Sequence, residues 1–446
     1  MGSMNTGNEA DATGTHAELA KRRKAVLPEW LTTMYAEPID IDSGEGRHVR
    51  DAEGNRYLDF FGGILTTMTG HAVPEVTAAV SEQASRILHS STLYLNRPMI
   101  ELAERVAELS DIDDPRVFFT TSGTEANDTA LLLATGYRAS NQVLALRNSY
   151  HGRSFSSMAV TGNRSWSPTS LSPVQTFYVH GSRRRGTPMA QLSDAELTEA
   201  CVADLEDVLD QLHGNVACLI AEPIQGVGGF ATPPDGLYAR FKEVLDRHGI
   251  LWVSDEVQTG WGRTGEHFWG WQAHADNGKP DIVTFAKGLG NGLSIGGVVA
   301  DAEVMNSVAA NSISTFGGSP VTAAGALANL DYLLEHDLQR NAAHVGAILR
   351  AELDGALGSA SAVADVRGKG LMIGVELADP DGQPAPELAA EVLEETKRQG
   401  VLVGKGGLHG NVLRIAPPLS VTESEVREGA RVLLDALHTV PSPEAS

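Results

Sequence analysis

Cysteine is nearly missing from this 446-residue chain, which has only Cys201 and Cys218. Two thiols cannot make a disulfide framework, and these two do not stand at metal-ligand spacing. Their apolar neighbours mark them as buried thiols in a reducing compartment. Positive charge is scarce as well. Against 57 Asp and Glu there are 34 Lys and Arg, a formal net charge of −23. That argues against nucleic acid or an anionic membrane as a partner, because both need a basic surface. Small anionic substrates stay open, since a few local arginines can make a positive pocket. The basic run Arg183-Arg184-Arg185 reads as a solvated loop. No stretch reaches the roughly 18 apolar residues of a membrane helix. There are no internal repeats and no long low-complexity linker. These absences set the expectation of a cytoplasmic protein.

The length allows two or three domains and a large core. Apolar content of 42% and charged content of 20% are ordinary for a globular enzyme. The opening Met1-Gly2-Ser3-Met4-Asn5-Thr6 formally matches a myristoylation pattern, but Gly2-Ser3 before a second methionine reads as an expression scar. The polar stretch 1–16 is expected to be disordered.

From about residue 117 to 305, apolar strand-like runs alternate with helical patterns. The runs are Val117-Phe-Phe-Thr-Thr121, Val143-Leu-Ala-Leu-Arg147, Thr176-Phe-Tyr-Val179, Ala217-Cys-Leu-Ile-Ala221, Ile250-Leu-Trp-Val253, Ile282-Val-Thr-Phe285 and Gly297-Val-Val-Ala300. Such alternation predicts an α/β fold with a mostly parallel sheet and helices on both faces. Leu237, Phe241, Val244, Leu245 and His248 are spaced for one helix face, and Gly249 stops it. The tail predicts a smaller α+β domain: strands at 370–376, 400–403 and 412–415, a helix near 387–399, and a last helix with Val426, Ala430, Leu433, Leu434 and Leu437 on one face.

Lys287 follows one of the apolar runs and precedes Gly288-Leu-Gly290-Asn-Gly292. A lysine held there beside low-dielectric surface has a lowered pKa and a free amine able to attack a carbonyl. Alone this is weak, but a second run ends in Asp255-Glu256-Val257-Gln258. A buried lysine and a carboxylate able to pair with a pyridinium nitrogen are the two groups that pyridoxal phosphate needs. Ser122-Gly123-Thr124 ends a further strand and opens a helix, where free N–H groups and the helix dipole seat a phosphate. Ser122 and Glu125 also read as a capping box, and both readings can hold. Tyr150 follows the next strand, where its ring could stack on a pyridine face. Gly260-Trp-Gly262-Arg-Thr-Gly265 matches the dinucleotide fingerprint, but no helix start follows it, so it is read as a false positive.

The motifs Tyr57-Leu-Asp-Phe-Phe-Gly-Gly-Ile64, Thr121-Ser-Gly-Thr-Glu-Ala-Asn127, Tyr150-His-Gly-Arg153, Ala221-Glu-Pro-Ile-Gln-Gly226, Asp255-Glu-Val-Gln-Thr-Gly260, Phe285-Ala-Lys-Gly288, Ser314-Thr-Phe-Gly-Gly318 and Arg414-Ile-Ala-Pro-Pro418 occur in this order. In them, over roughly residues 25–440, the chain resembles the class III aminotransferases of fold type I. Its nearest likeness is to the alanine–glyoxylate aminotransferase and phospholyase branch. The resemblance implies a large domain over 61–330 with a seven-stranded sheet. It also implies a small domain made of 17–60 and 331–446. It assigns cofactor contacts to Ser122, Gly123, Thr124, Tyr150, His151, Glu222, Asp255, Val257, Gln258 and Lys287, with Gly152 giving clearance. Thr315 would reach the cofactor phosphate of a partner subunit, so a homodimer is implied, alone or paired into a tetramer.

Arg414 resembles the arginine that clamps a substrate carboxylate. Ornithine and 4-aminobutyrate enzymes of the family carry a glutamate that can hide this arginine, and here that position is Val227. Leu65, where omega-transaminases have a tryptophan, and Ile64 before it imply a small aliphatic substrate pocket. No metal is implied. The expectation is a ping-pong aminotransferase that moves an amino group from a small amino acid, such as alanine, or an amine, to pyruvate, glyoxylate or 2-oxoglutarate. The alternative is a lyase acting on a phosphorylated amino alcohol, which would share every cofactor residue. A non-enzymatic regulator would need a DNA-binding helix-turn-helix, which the chain lacks.

Overall fold

A computed structural model describes residues 16–182, 185, 187–212, 215–274, 278–357 and 360–441. Of the tail expected to be disordered, residues 1–15 lie outside the described residues, as do Arg183 and Arg184, while His16 opens the helix His16–Val26.

Seven strands make the central sheet, in the spatial order Pro115–Thr120, Gly296–Asp301, Ile282–Phe285, Leu251–Asp255, Val216–Ala221, Gln142–Leu146, Gln175–Val179. Gly296–Asp301 runs antiparallel to both its neighbours, and the remaining pairs are parallel. Every residue of Val216–Ala221 and Leu251–Asp255 is buried, as a strand covered by helices on both faces requires. The helix Gly123–Arg138 packs on one face and Asp194–Asp210 and Leu237–His248 on other sheet strands. The last of these follows the predicted pattern as far as Leu245, while His248, expected on the same face, is exposed. Its Phe241, Val244 and Leu245 are buried, and Gly249 caps it with a left-handed φ of 63°.

Parallel strands with short turns at their carboxyl ends place ligands there. Here Tyr150 follows Gln142–Leu146, Glu222 follows Val216–Ala221, Asp255 ends Leu251–Asp255, and Lys287 follows Ile282–Phe285.

The rest of the chain forms two smaller sheets. Ile41–Glu45, His48–Asp51 and Arg56–Asp59 make an antiparallel meander, and Val401–Leu402 joins it in parallel. Val363–Lys369, Met372–Leu377, Val412–Ile415 and Gly404–Gly406 form an antiparallel sheet under the helices Leu338–Asp354 and Pro386–Arg398. The amino-terminal strands therefore pack with the carboxyl-terminal part of the chain.

Candidate active site

At the carboxyl ends of these strands lies a cavity of about 340 Å³, within the range of small-molecule sites, roughly 300–1,000 Å³. Ser122, Gly123, Thr124, Tyr150, His151, Glu222, Asp255, Val257, Gln258 and Lys287 line it, together with Thr66 and Asn127. Ten residues expected at a cofactor site thus converge on one space.

Asp255 is buried and fully engaged. Its Oδ2 accepts from Asn127 Nδ2 at 2.7 Å and lies 2.7 Å from His151 Nδ1, while its Oδ1 accepts from the Val257 amide at 3.1 Å. Asn127 is held in turn: Thr284 Oγ1 donates to its Oδ1 at 2.7 Å, and its Nδ2 also donates to the His151 carbonyl. This scaffold fixes the carboxylate through protein contacts. Asn127 closes the motif that seats the phosphate, and the motif alone does not show its hold on Asp255. Its place on the same helix as the phosphate seat, one turn after Gly123, was the available signal.

Lys287 sits just past its strand with a φ of 39°, and the accessible surface it retains lines the cavity. Burial pushes its amine down to about 8, with Asp255 pulling the other way. Burial likewise pushes the Glu222 carboxyl up to about 7. Glu222 holds two backbone amides, accepting from Tyr150 N at 2.9 Å and Gly226 N at 2.8 Å, so it braces the loop carrying the aromatic ring.

The helix Gly123–Arg138 presents its first turn to the cavity. Ser122 Oγ caps it by accepting from the Glu125 amide at 3.2 Å, which leaves the Gly123 and Thr124 amides without intrahelical partners. The reciprocal half of the expected capping box is missing. Glu125 turns outward to accept from Thr121 N and Oγ1, both at 2.8 Å, and from Ser314 Oγ at 2.7 Å. Gly152 has a φ of 139°, and a Cβ there would meet Thr124 Oγ1 at 2.7 Å; only glycine gives that clearance. Amide donors for a phosphate, a carboxylate held for a ring nitrogen, a ring at Tyr150 and a depressed lysine make this cavity fit pyridoxal phosphate.

The substrate residues are placed differently. Arg414 is buried behind the cavity wall, its Nη2 donating to Gln258 Oε1 at 2.8 Å. Its guanidinium lies between Phe61 and Phe230, 5.2 and 4.6 Å from their ring centroids. Among the described residues no carboxylate pairs with it, and its buried Nε has no partner. Ile64 and Leu65 do not line the cavity, contrary to expectation. The backbone is left-handed from Gly62 through Leu65, with φ between 55° and 69°. That turn leaves Ile64 45% exposed and sends Leu65 into a core with Phe61, Ile224, Phe230, Met372 and Ala416. Thr315 is exposed and outside the cavity. Arg185, the described member of the basic run, is committed elsewhere, donating to the carbonyls of Ala364 at 3.1 Å and Gly382 at 3.4 Å. The glycine-rich Gly260–Gly265 segment is buried turn, not a phosphate loop.

A family profile described as aminotransferase class-III matches residues 32–437. The protein named alanine–glyoxylate aminotransferase 2 homolog 2, mitochondrial, of Arabidopsis thaliana is 38% identical over 418 residues, which cover 93% of this chain and 86% of that protein. An amine transaminase from an uncultivated Pseudomonas species, solved in its PLP-bound form, matches with a TM-score of 0.85 at 31% identity, over 92% of this chain and 98% of that one. A phospholyase from Arthrobacter in complex with phosphoethanolamine matches with a TM-score of 0.86 at 31% identity, over 95% of this chain and 100% of that one.

Proposed function

The chain belongs to the class III aminotransferases and is a pyridoxal-phosphate-dependent transaminase; from that premise we propose that its donor is a small α-amino acid, alanine foremost, and its acceptor a 2-oxo acid such as pyruvate, glyoxylate or 2-oxoglutarate. The observation that carries this reading is Arg414, a buried guanidinium with a neutral partner in Gln258 and an unpartnered Nε. A carboxylate-bearing substrate would supply the missing acceptor. Val227, buried nearby where a glutamate would compete for that cation, leaves it available.

When bound, pyridoxal phosphate supplies an electron sink for the pair left when a proton departs from substrate Cα. The chain does the rest. The Gly123 and Thr124 amides would hold the phosphate, Tyr150 and Val257 would bound the ring, and Asp255 would keep a ring nitrogen protonated. Lys287 Nζ, whose amine burial pushes down to about 8, would take the proton at Cα in its neutral form and return it in the reverse half-reaction. An amino acid and a 2-oxo acid then use the same site in turn, giving ping-pong kinetics.

We place the working unit as a homodimer. Leu93, Tyr94, Leu95, Ile313 and Phe316 are large exposed apolar side chains, and His89 contacts Phe316 at 5.1 Å, joining the two segments. Thr315 lies within this patch, and Ser314 is tied to the phosphate helix through Glu125. A cytoplasmic setting is proposed from the two buried free thiols. No described helix is long and apolar enough to cross a membrane.

The test is a donor screen of the PLP-loaded protein with amino acids, amines and phosphoethanolamine, each with and without a 2-oxo acid. Turnover of an α-amino acid only when a 2-oxo acid is present supports the proposal. Phosphate or ammonia released without one would make the protein a lyase.

A further inference from the structure

Arg263, inside the false dinucleotide motif, is 2% exposed. Among the described residues no carboxylate pairs with it, and burial pushes its guanidinium down to about 9. A buried, uncompensated cation is costly, so its partners matter. Its Nη1 donates to the carbonyls of Leu371, at 3.3 Å, and Pro417. Its own carbonyl accepts from Leu371 N at 3.1 Å. Leu371 immediately precedes the strand Met372–Leu377, and Pro417 follows the strand Val412–Ile415 closely. These strands pair, with Ile373 opposite Ile415 and Gly374 opposite Arg414. Arg263 therefore grips the common end of the two strands that position Arg414.

The segment bearing Arg263 also begins at the cavity. Asp255 and Gln258 line the cavity, Gln258 holds Arg414, and the same loop runs on to Arg263. Its glycines serve close docking. A Cβ on Gly262 would meet Gln339 Cβ at 2.8 Å, and one on Gly265 would meet Ala343 Cα at 2.6 Å, both on the helix Leu338–Asp354. One stretch of chain is thus fixed at the ring carboxylate, at Arg414 and at the sheet behind Arg414.

We propose that Arg263 is a positioning residue for substrate carboxylate recognition: by holding the Leu371 and Pro417 carbonyls, it sets where Arg414 presents its guanidinium relative to Asp255. This rests on the reading of Arg414 as the carboxylate-binding group. Arg263 touches neither substrate nor cofactor. Its effect passes through Arg414, and it governs binding of the carboxylate while leaving proton transfer at Lys287 untouched.

The experiment compares Arg263→Met, Arg263→Lys, Arg414→Lys and the double variant Arg263→Met/Arg414→Lys as PLP-loaded proteins, using the α-amino acid with the highest kcat/KM in the donor screen. Arg263→Met should raise KM about tenfold with kcat within about twofold. Arg263→Lys, which keeps one donor, should recover part of the loss. In the double variant the Arg263→Met effect should shrink to little or nothing. The absorbance titration of the cofactor should stay as in the parent protein. A fall in kcat and cofactor content at unchanged KM would mean a merely structural role and overturn the proposal, as would full additivity in the double variant. If Arg414→Lys itself leaves KM unchanged, the reading of Arg414 fails. If it raises KM while Arg263→Met does not, only the inference about Arg263 fails. Should Arg263→Met not fold, Arg263→Lys alone and combined with Arg414→Lys carries the same comparison.

Discussion

Lys287 and Asp255 are tuned by different means, burial for the lysine and hydrogen-bond donors for the aspartate. In the cofactor-free protein the Lys287 amine is pushed from 10.5 down to about 8. Between those values the unfolded chain holds a proton that the folded chain does not, so stability rises with pH across that window and the penalty is complete below about 8. At 1.36 kcal/mol per unit, discounted for water in the cavity, the penalty is on the order of 2 kcal/mol. Cofactor-free Lys287→Met should therefore be the more stable protein at neutral pH in denaturant titrations. Its margin should narrow steadily from about pH 8 towards 10, and it should have no transaminase turnover when PLP is added. A margin independent of pH would show that burial does not depress the amine. Asp255 depends on its donors instead. Removing the Asn127 amide, which donates to Oδ2 at 2.7 Å, takes away a hydrogen bond to a charged group, about 1.5–3 kcal/mol. Asn127→Ala should lower kcat roughly tenfold to a hundredfold. Unchanged single-turnover rates would mean that His151 and the Val257 amide orient the carboxylate without it.

At the scale of elements, the helix Gly123–Arg138 is where fold and site meet. Ser122→Ala removes its cap, at a cost of about 1 kcal/mol in stability, and loosens the turn that offers the Gly123 and Thr124 amides. PLP should be lost faster on dialysis; retention equal to the parent protein would separate the cap from the phosphate seat. Much of this element was legible in the sequence, because a serine cap after a strand and before an apolar helix is local information. The same holds for the seven strand runs, each found within a few residues of its prediction, and for the helix Leu237–His248, ended at Gly249. The antiparallel direction of Gly296–Asp301 was not legible, because it follows from pairing between distant strands. Nor was the left-handed turn at Gly62–Leu65. Its two glycines admit positive φ readily, but Ile64 and Leu65 adopt it only under tertiary constraint, and that turn removes both side chains from the cavity wall. Arg414 was legible as a motif, while its pairing with Gln258 depends on a strand far along the chain.

The whole molecule joins strong negative charge to a large exposed apolar patch, and the two oppose each other in the proposed dimer. Leu95 is 95% exposed and Tyr94 71%, well beyond the scattered apolar exposure normal at a surface. Two chains each carrying a formal −23 repel one another, and that repulsion is screened over a Debye length of about 30 Å at 0.01 M salt and 10 Å at 0.1 M. Apolar burial is insensitive to such a change, so the dimer should tighten as salt rises through this range in sedimentation equilibrium. Leu95→Asp sets a charge in the patch and adds to the repulsion, and should yield monomers at micromolar concentration. Because Thr315 stands in the same patch and Ser314 is bonded to Glu125 beside the phosphate seat, these monomers should also lose PLP and turnover. Thr315→Ala tests the second step alone: it should leave the dimer intact and weaken cofactor retention. A Leu95→Asp protein that sediments as a monomer yet keeps full activity would place the complete site within one chain and remove the dimer from the mechanism.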